Sequence, residues 1–283
     1  MGVLAGPTKG LIETSFNVWN TFNGQTWELL EKTPQNFSGG EVWDRMQNIA
    51  GTSESIFVGV GIALVTLFFI SGFVKNSINI KEKFHLDQMM RSFIRLGIAV
   101  FLVSNNFKIM GAFFDMASGL VKALNGGNIR KLELSPEIAH TIDKMWFWEC
   151  IPVIILAIIA LVVTIALSLT LVITVYMRFM KIFIALPLGT LAFSTFAGDR
   201  EIAHSSTSYF KYVIGLALEA VAIGLGLVAS TAIVNSGALD FSGLAGNSIG
   251  VVVGFLIQMI FMLATTVSVA KGASEIVHRT LGV

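Results

Sequence analysis

The sequence predicts an all-α, polytopic membrane protein, and three observations predict it. Of 283 residues, 54% are hydrophobic and only 13% are charged, whereas soluble domains carry about a quarter of charged residues. The apolar residues gather into long uncharged runs, the mark of segments that cross a bilayer. Near-neutral net charge, +1, leaves no global basic field for bulk nucleic-acid binding. Backbone polar groups in hydrocarbon must be satisfied within the chain, and runs of this length do so as helices.

Residues 1–54 form an external amphipathic region with no run long enough to span. Ile12, Phe16, Trp19 and Phe22 recur at steps of three and four, followed by Trp27, Leu29 and Leu30. Such a helix lies in the membrane interface or packs on protein, and the pattern alone leaves both open. Ser38, Gly39 and Gly40 break it. A second short helix, 41–50, presents Val42, Trp43, Met46 and Ile49 on one side. The start of the chain shows no basic–apolar–small leader pattern, so the first span is expected to act as the insertion signal.

Residues 55–283 form the transmembrane helical domain, with five spans near 55–74, 96–121, 151–176, 213–235 and 249–270. The first is an uncharged run with Gly59 and Ala63 on one face, a packing feature. Lys75, Lys81, Lys83, Arg91 and Arg95 crowd the loop after it, which marks the cytoplasmic side. The second span is interrupted by Asn105, Asn106, Lys108 and Asp115. That favours a broken or protein-buried helix; Lys108 and Asp115, seven apart, share a face and pair only through an intermediary.

A polar connection opened by Gly126 and Gly127 carries Ser135-Pro136-Glu137, a cap followed by a first-turn proline. Trp146, Phe147 and Trp148 mark the bilayer interface, with Cys150 beside them as an inert thiol. The third span has Thr164, Ser168 and Thr170 to bond back or across, and Arg178 and Lys181 on its last turn. The segment 182–197, containing Pro187, reads as a short re-entrant or sixth piece. Keeping it re-entrant holds Arg178, Lys181, Arg200 and Lys211 on the side of the first basic loop. The loop 236–248, without lysine or arginine, then falls outside. The layout is N-terminus out and C-terminus in.

The fourth span carries Gly215, Glu219, Ala222, Gly226, Ala229 and Ser230 on one stripe. The fifth repeats small residues at four-residue steps, Gly246, Gly250, Gly254 and then Gln258. An acid in a span faces inward to a partner or to water, so Glu219 and Gln258 are expected to meet between packed helices.

Enzyme chemistry has no foothold. There is no phosphate-binding glycine loop, and His85, His140, His204 and His278 lack metal-ligand spacing. Ser205 to Ser208 beside His204 and Asp199 reads as a polar turn with helix caps. No enzyme activity, cofactor or metal is expected.

The central stretch carries a resemblance. A basic residue closing a long span, then "ALPLGTLAFSTFAGD", a serine-rich turn and the lysine-led helix "FKYVIGLALEAVAIGLGLVAS" resemble the TrbL-type polytopic inner-membrane subunit of bacterial type IV secretion (conjugation) systems. The likeness covers about residues 170–235, with Pro187, Gly198, Asp199 and Lys211 in the family-like turn; it does not extend to the first 54 residues. It implies a translocation-channel or scaffold subunit of the cytoplasmic membrane, acting in conjugative transfer of DNA or protein. It also implies contacts with further copies of itself, with the system's ATPases and with channel or pilus components, besides membrane lipid and passing substrate. The alternative is a small secondary transporter or ion channel with Glu219 as coupling group.

Overall fold

The computed structural model describes residues 4–78, 86–125, 131–235 and 247–282. The expected positions Lys81, Lys83, His85, Gly126, Gly127 and Gly246 lie outside them, as does nearly all of the loop 236–248. Among the described residues the regular structure is helical: α1 Ala5–Glu31, α2 Glu41–Ala50, α3 Ile56–Ile78, α4 Leu86–Asn125, α5 Pro136–Lys144, α6 Phe147–Ser194, α7 Arg200–Asn235 and α8 Ser248–Leu281. Five are long and apolar enough to cross a membrane, over Ile56–Lys75, Met89–Leu124, Phe147–Ala197, Arg200–Ser230 and Ser248–Leu281. This is the polytopic helical membrane architecture predicted from composition.

One boundary differs from expectation and one expected break is present, each with a local cause. Arg178 and Lys181 do not close the third span: α6 is one helix of 48 residues, about 72 Å at 1.5 Å per residue. It absorbs the segment 182–197, which therefore has no turn of its own before a short 3-10 piece, Thr195–Ala197. Pro187 withdraws the donor meant for the Phe183 carbonyl four residues back, yet the helix continues through it. In α4 the expected break is present: two helical stretches meet across a kink at Asn105 (φ −116°, ψ 16°) within Leu86–Asn125. The Asn105 amide donates to the Phe101 carbonyl at 3.1 Å, so the side chain competes with the helix ladder where the bend sits.

The chain forms two compact units, each assembled from separated segments. The first comprises Met1–Glu31, Val121–Tyr176 and Val221–Ala273. Here α1 buries Ile12, Phe16, Trp19, Trp27 and Leu30 of the predicted stripe, and Asn23 with them, against its own chain, while the predicted Phe22 and Leu29 are half-buried. Phe16 meets Phe255 of α8 edge-on at 6.0 Å, and Trp27 lies over Gly224 of α7. Lys9 pairs with Asp143 of α5 at 2.6 Å. Asn20 exchanges two 2.9 Å bonds with the Leu132 backbone. The stripe is thus consumed by protein packing, each large side chain stabilising by roughly 1.5–3 kcal/mol.

The second unit comprises Lys32–Leu120, Met177–Ala220 and Ser274–Val283. Ser38, Gly39 and Gly40 all take positive φ (52°, 69° and 88°), the break expected from sequence and a conformation glycine adopts without penalty. The chain then turns into α2, whose Trp43 packs edge-on against Phe107 of α4 at 5.5 Å. Helix α3 lies close on its neighbours through two glycines. A Cβ on Gly61 would stand 3.0 Å from Val103 and 3.2 Å from the Thr190 carbonyl; one on Gly72 would stand 3.1 Å from the Asp199 nitrogen.

Candidate functional site

The second unit gathers charge where three helices meet. Arg178 and Lys181 stand one turn apart on α6, Leu216 and Glu219 one turn apart on α7, Ser274 and His278 one turn apart on α8. Arg178 and Glu219 are each only 2% exposed. Arg178 Nε donates to the Leu216 carbonyl at 3.2 Å, and its guanidinium lies 5.3 Å from the Phe179 ring centre. Phe37 stacks on the same ring at 4.3 Å. Lys181 Nζ reaches Glu219 Oε1 at 3.4 Å and Ser274 Oγ at 3.3 Å.

The energetics of this cluster are uneven. Glu219 is enclosed, while the Lys181 side chain is 39% exposed, so the visible ion pair is half-solvated and weak. The other cation beside this part of α7 is Arg178, which bonds the Leu216 carbonyl one turn before Glu219 and is just as enclosed. Arg178 Nη1 and Glu219 Oε2 are both buried without a hydrogen-bond partner. An isolated guanidinium here would carry a large desolvation cost, and the nearby carboxylate offsets it. Two cations with one anion tie α6, α7 and α8 together within this unit. His278 extends the cluster: it stacks on Tyr212 at 5.3 Å and lies where a Cβ on Gly215 would be, 3.1 Å away.

A second junction lies beside Pro187 on α6. Asn106 Nδ2 donates to the Leu186 carbonyl at 2.7 Å, and Tyr209 Oη donates to the Ala185 carbonyl at 3.1 Å. Gly189 leaves room for both donors; a Cβ there would meet the Tyr209 hydroxyl and stand 2.7 Å from Asn106 Nδ2. Asn106, read from sequence as a breaker of its own helix, thus also bonds α4 to α6. Its Oδ1 is buried and unpaired.

The Gly198–Asp199 turn is a helix start tied to α3. Asp199 Oδ1 accepts from the Ile202 N–H at 3.2 Å, capping α7, and Asp199 Oδ2 takes Lys75 at 2.6 Å. The Lys75 ammonium first, and the Ile202 N–H after it, hold the Asp199 carboxyl below its usual range. Lys211 is exposed on α7, as are Lys108 and Asp115 on α4.

The small-residue stripes are used inside the chain. Gly226 faces Val269 of α8, 2.5 Å from where a Cβ would be; Gly250 and Gly254 are buried, and Ala222 is half-buried. Gly59, by contrast, has open space around it. Glu219 takes its partners from the second unit, whereas Gln258 is a half-buried residue of the first. Sequence reasoning did not anticipate Tyr209, Ser274 and His278, because single polar residues on three helices give no signal of convergence.

The chain matches a protein family described as TrbL/VirB6 plasmid conjugal transfer like protein, over residues 20–190. The match begins well inside the amphipathic N-terminal region, which had shown no likeness, and takes in α2, α3, α4 and most of α6. No curated protein and no solved structure matches the chain.

Proposed function

The chain belongs to the TrbL/VirB6 plasmid conjugal transfer family, and from that membership we propose that it is a non-catalytic, membrane-embedded scaffold or translocation-channel subunit of a type IV secretion system, serving conjugative passage of DNA or protein. The family match over more than half of the chain carries this reading. Five apolar helices of spanning length fit a multi-pass protein of the cytoplasmic membrane. In the proposed layout residues 1–54 face outside and the C-terminus faces the cytoplasm, which keeps the basic loop after α3 inside.

The buried Arg178 and Glu219, with Lys181 bonded to Glu219 and Ser274, suit a rigid building block. It costs stability to keep charge in such a place, and the return is a fixed arrangement of three helices. Energy for transfer then comes from the ATPases of the system. Further copies of this chain and the channel or pilus components are its other proposed contacts, with lipid around it and substrate passing transiently.

An in-frame deletion with plasmid complementation tests the proposal. Transfer frequency should collapse while growth and nutrient uptake stay normal, and complementation should restore it. Transfer at the parental frequency in the deletion strain would overturn the reading; intact transfer with impaired uptake of a solute would favour the transporter with Glu219 as coupling group.

A further inference from the structure

A pocket of about 190 Å³ opens between α2 and α4 within the second unit, apart from the charge cluster on α6, α7 and α8. Gln35, Trp43, Gln47, Phe107, Lys108 and Asp115 give it its chemistry. We propose that this pocket holds the zwitterionic headgroup of a phosphoethanolamine lipid, its phosphate on Lys108 and its ammonium on Asp115 and Gln35. The inference stands independently of the secretion role.

The charges select a ligand with two ends. Lys108 and Asp115 are both exposed, and among the described residues neither has an ionic partner. They stand two turns apart, about 10.5 Å along the helix, beyond the reach of a direct ion pair. A phosphate and an ammonium joined by a two-carbon link, with a hydrogen bond at each end, bridge that gap. One cation and one anion leave the pocket neutral, which disfavours an anionic headgroup.

The orphan acceptor selects the amine. Gln35 Oε1 is buried and has no hydrogen-bond partner. A primary ammonium has three N–H donors to satisfy it and Asp115 together, whereas a choline headgroup has none. Trp43, 8% exposed and set edge-on against Phe107, supplies an aromatic wall on which a cation is favoured. Gly111 makes the space: a Cβ there would stand 2.6 Å from Gln35 Nε2 and drive the amide out of place.

The pocket adjoins one end of the α3 span. The candidate span of α3 is 20 residues, Ile56–Lys75, about 30 Å and equal to the hydrocarbon thickness. The turn leading into it rests on the pocket wall, for a Cβ on Gly51 would stand 2.8 Å from the Phe107 ring. Met90, Phe93, Ile94, Ile98 and Phe101 are exposed apolar residues of α4 before the Asn105 bend; beyond it Lys108 and Asp115 share the exposed surface with Met116 and Leu120. A lysine and an aspartate exposed to hydrocarbon would be costly; at the membrane surface they meet headgroups.

The test uses the full-length chain purified in a mild detergent. Dioleoyl phosphatidylethanolamine, phosphatidylcholine and phosphatidylglycerol are supplied in equal amounts, and retained lipid is counted by native mass spectrometry. Phosphatidylethanolamine should be retained at least about tenfold over the other two, as expected for charge-assisted hydrogen bonds at both ends. Lys108→Gln and Asp115→Asn, both at exposed positions and checked for helicity by circular dichroism, should each erase most of that preference. Soluble O-phosphorylethanolamine should compete with the lipid. Equal retention of the three lipids, or a preference that survives both variants, overturns the proposal. Tight binding of the soluble compound without lipid retention overturns the assignment to a lipid.

Discussion

Replacing Glu219 should be far more damaging than replacing the lysine it touches. The geometry sets the order. Glu219 is 3% exposed at its side chain and Lys181 39%, with 3.4 Å between their charged atoms. Lys181→Gln therefore removes a long, half-solvated pair worth about 0–1 kcal/mol. Glu219→Gln removes the carboxylate that offsets the fully enclosed Arg178, whose Nη1 already lacks a partner. Stranding one member of a buried pair costs about 3–5 kcal/mol. Removing both charges, Arg178→Met with Glu219→Leu, should recover most or all of that loss, since well-packed apolar replacements are commonly neutral or stabilising. Unfolding of the purified protein in mixed micelles, followed by far-ultraviolet circular dichroism, measures these three variants together with the singles Arg178→Met and Glu219→Leu. Equal losses for Lys181→Gln and Glu219→Gln would refute the reasoning. So would a double variant whose cost equals the sum of its singles.

Other positions predict smaller, separable effects. Gly226→Ala forces a Cβ to 2.5 Å from Val269 Cγ1 and should cost about 1–3 kcal/mol by overpacking, while Gly59→Ala, with open space around it, should leave the unfolding midpoint unchanged. Tyr209→Phe and Asn106→Leu each take a donor from a carbonyl beside Pro187 and should cost about 1–3 kcal/mol each, with non-additive loss in the double variant on the same unfolding assay. Because the Asp199 carboxyl is held below its usual range, its contribution is present above the unfolded value of about 3.9 and is lost as pH falls through the folded one. The stability gap between the parent and Asp199→Asn should thus be constant from pH 8 to pH 5 and close only in stronger acid.

The features legible in the sequence were those that repeat along one helix. Uncharged runs gave the spans, and steps of three and four gave the buried face of α1, from Ile12 to Leu30. The positive-φ break at Ser38–Gly40 was visible because glycine pairs announce it. What the sequence concealed was convergence between helices. Pro187 suggested an interruption, but Asn106 and Tyr209, distant in sequence, reach its neighbouring carbonyls. Arg178 and Lys181 looked like the basic end of a span, yet the helix runs on and Arg178 is sealed against Leu216 and Phe179. Glu219 was recognisable as an inward-facing acid; its actual neighbours were not, because nothing in α6 or α8 marks Lys181 or Ser274 as its side of the bundle. The glycine stripes were visible as close-packing surfaces, and Gly226 and Gly215 spend that closeness on Val269 and His278 of the same chain.

Sealed liposomes containing only this purified protein offer the most direct test of a passive, membrane-embedded subunit that draws its driving force from others. With a proton or sodium gradient imposed, labelled amino acids, sugars, metal ions and short oligonucleotides should all remain where they were placed, at the level of empty liposomes. Gradient-driven accumulation of any one of them, abolished by Glu219→Gln in protein that remains folded, would contradict it.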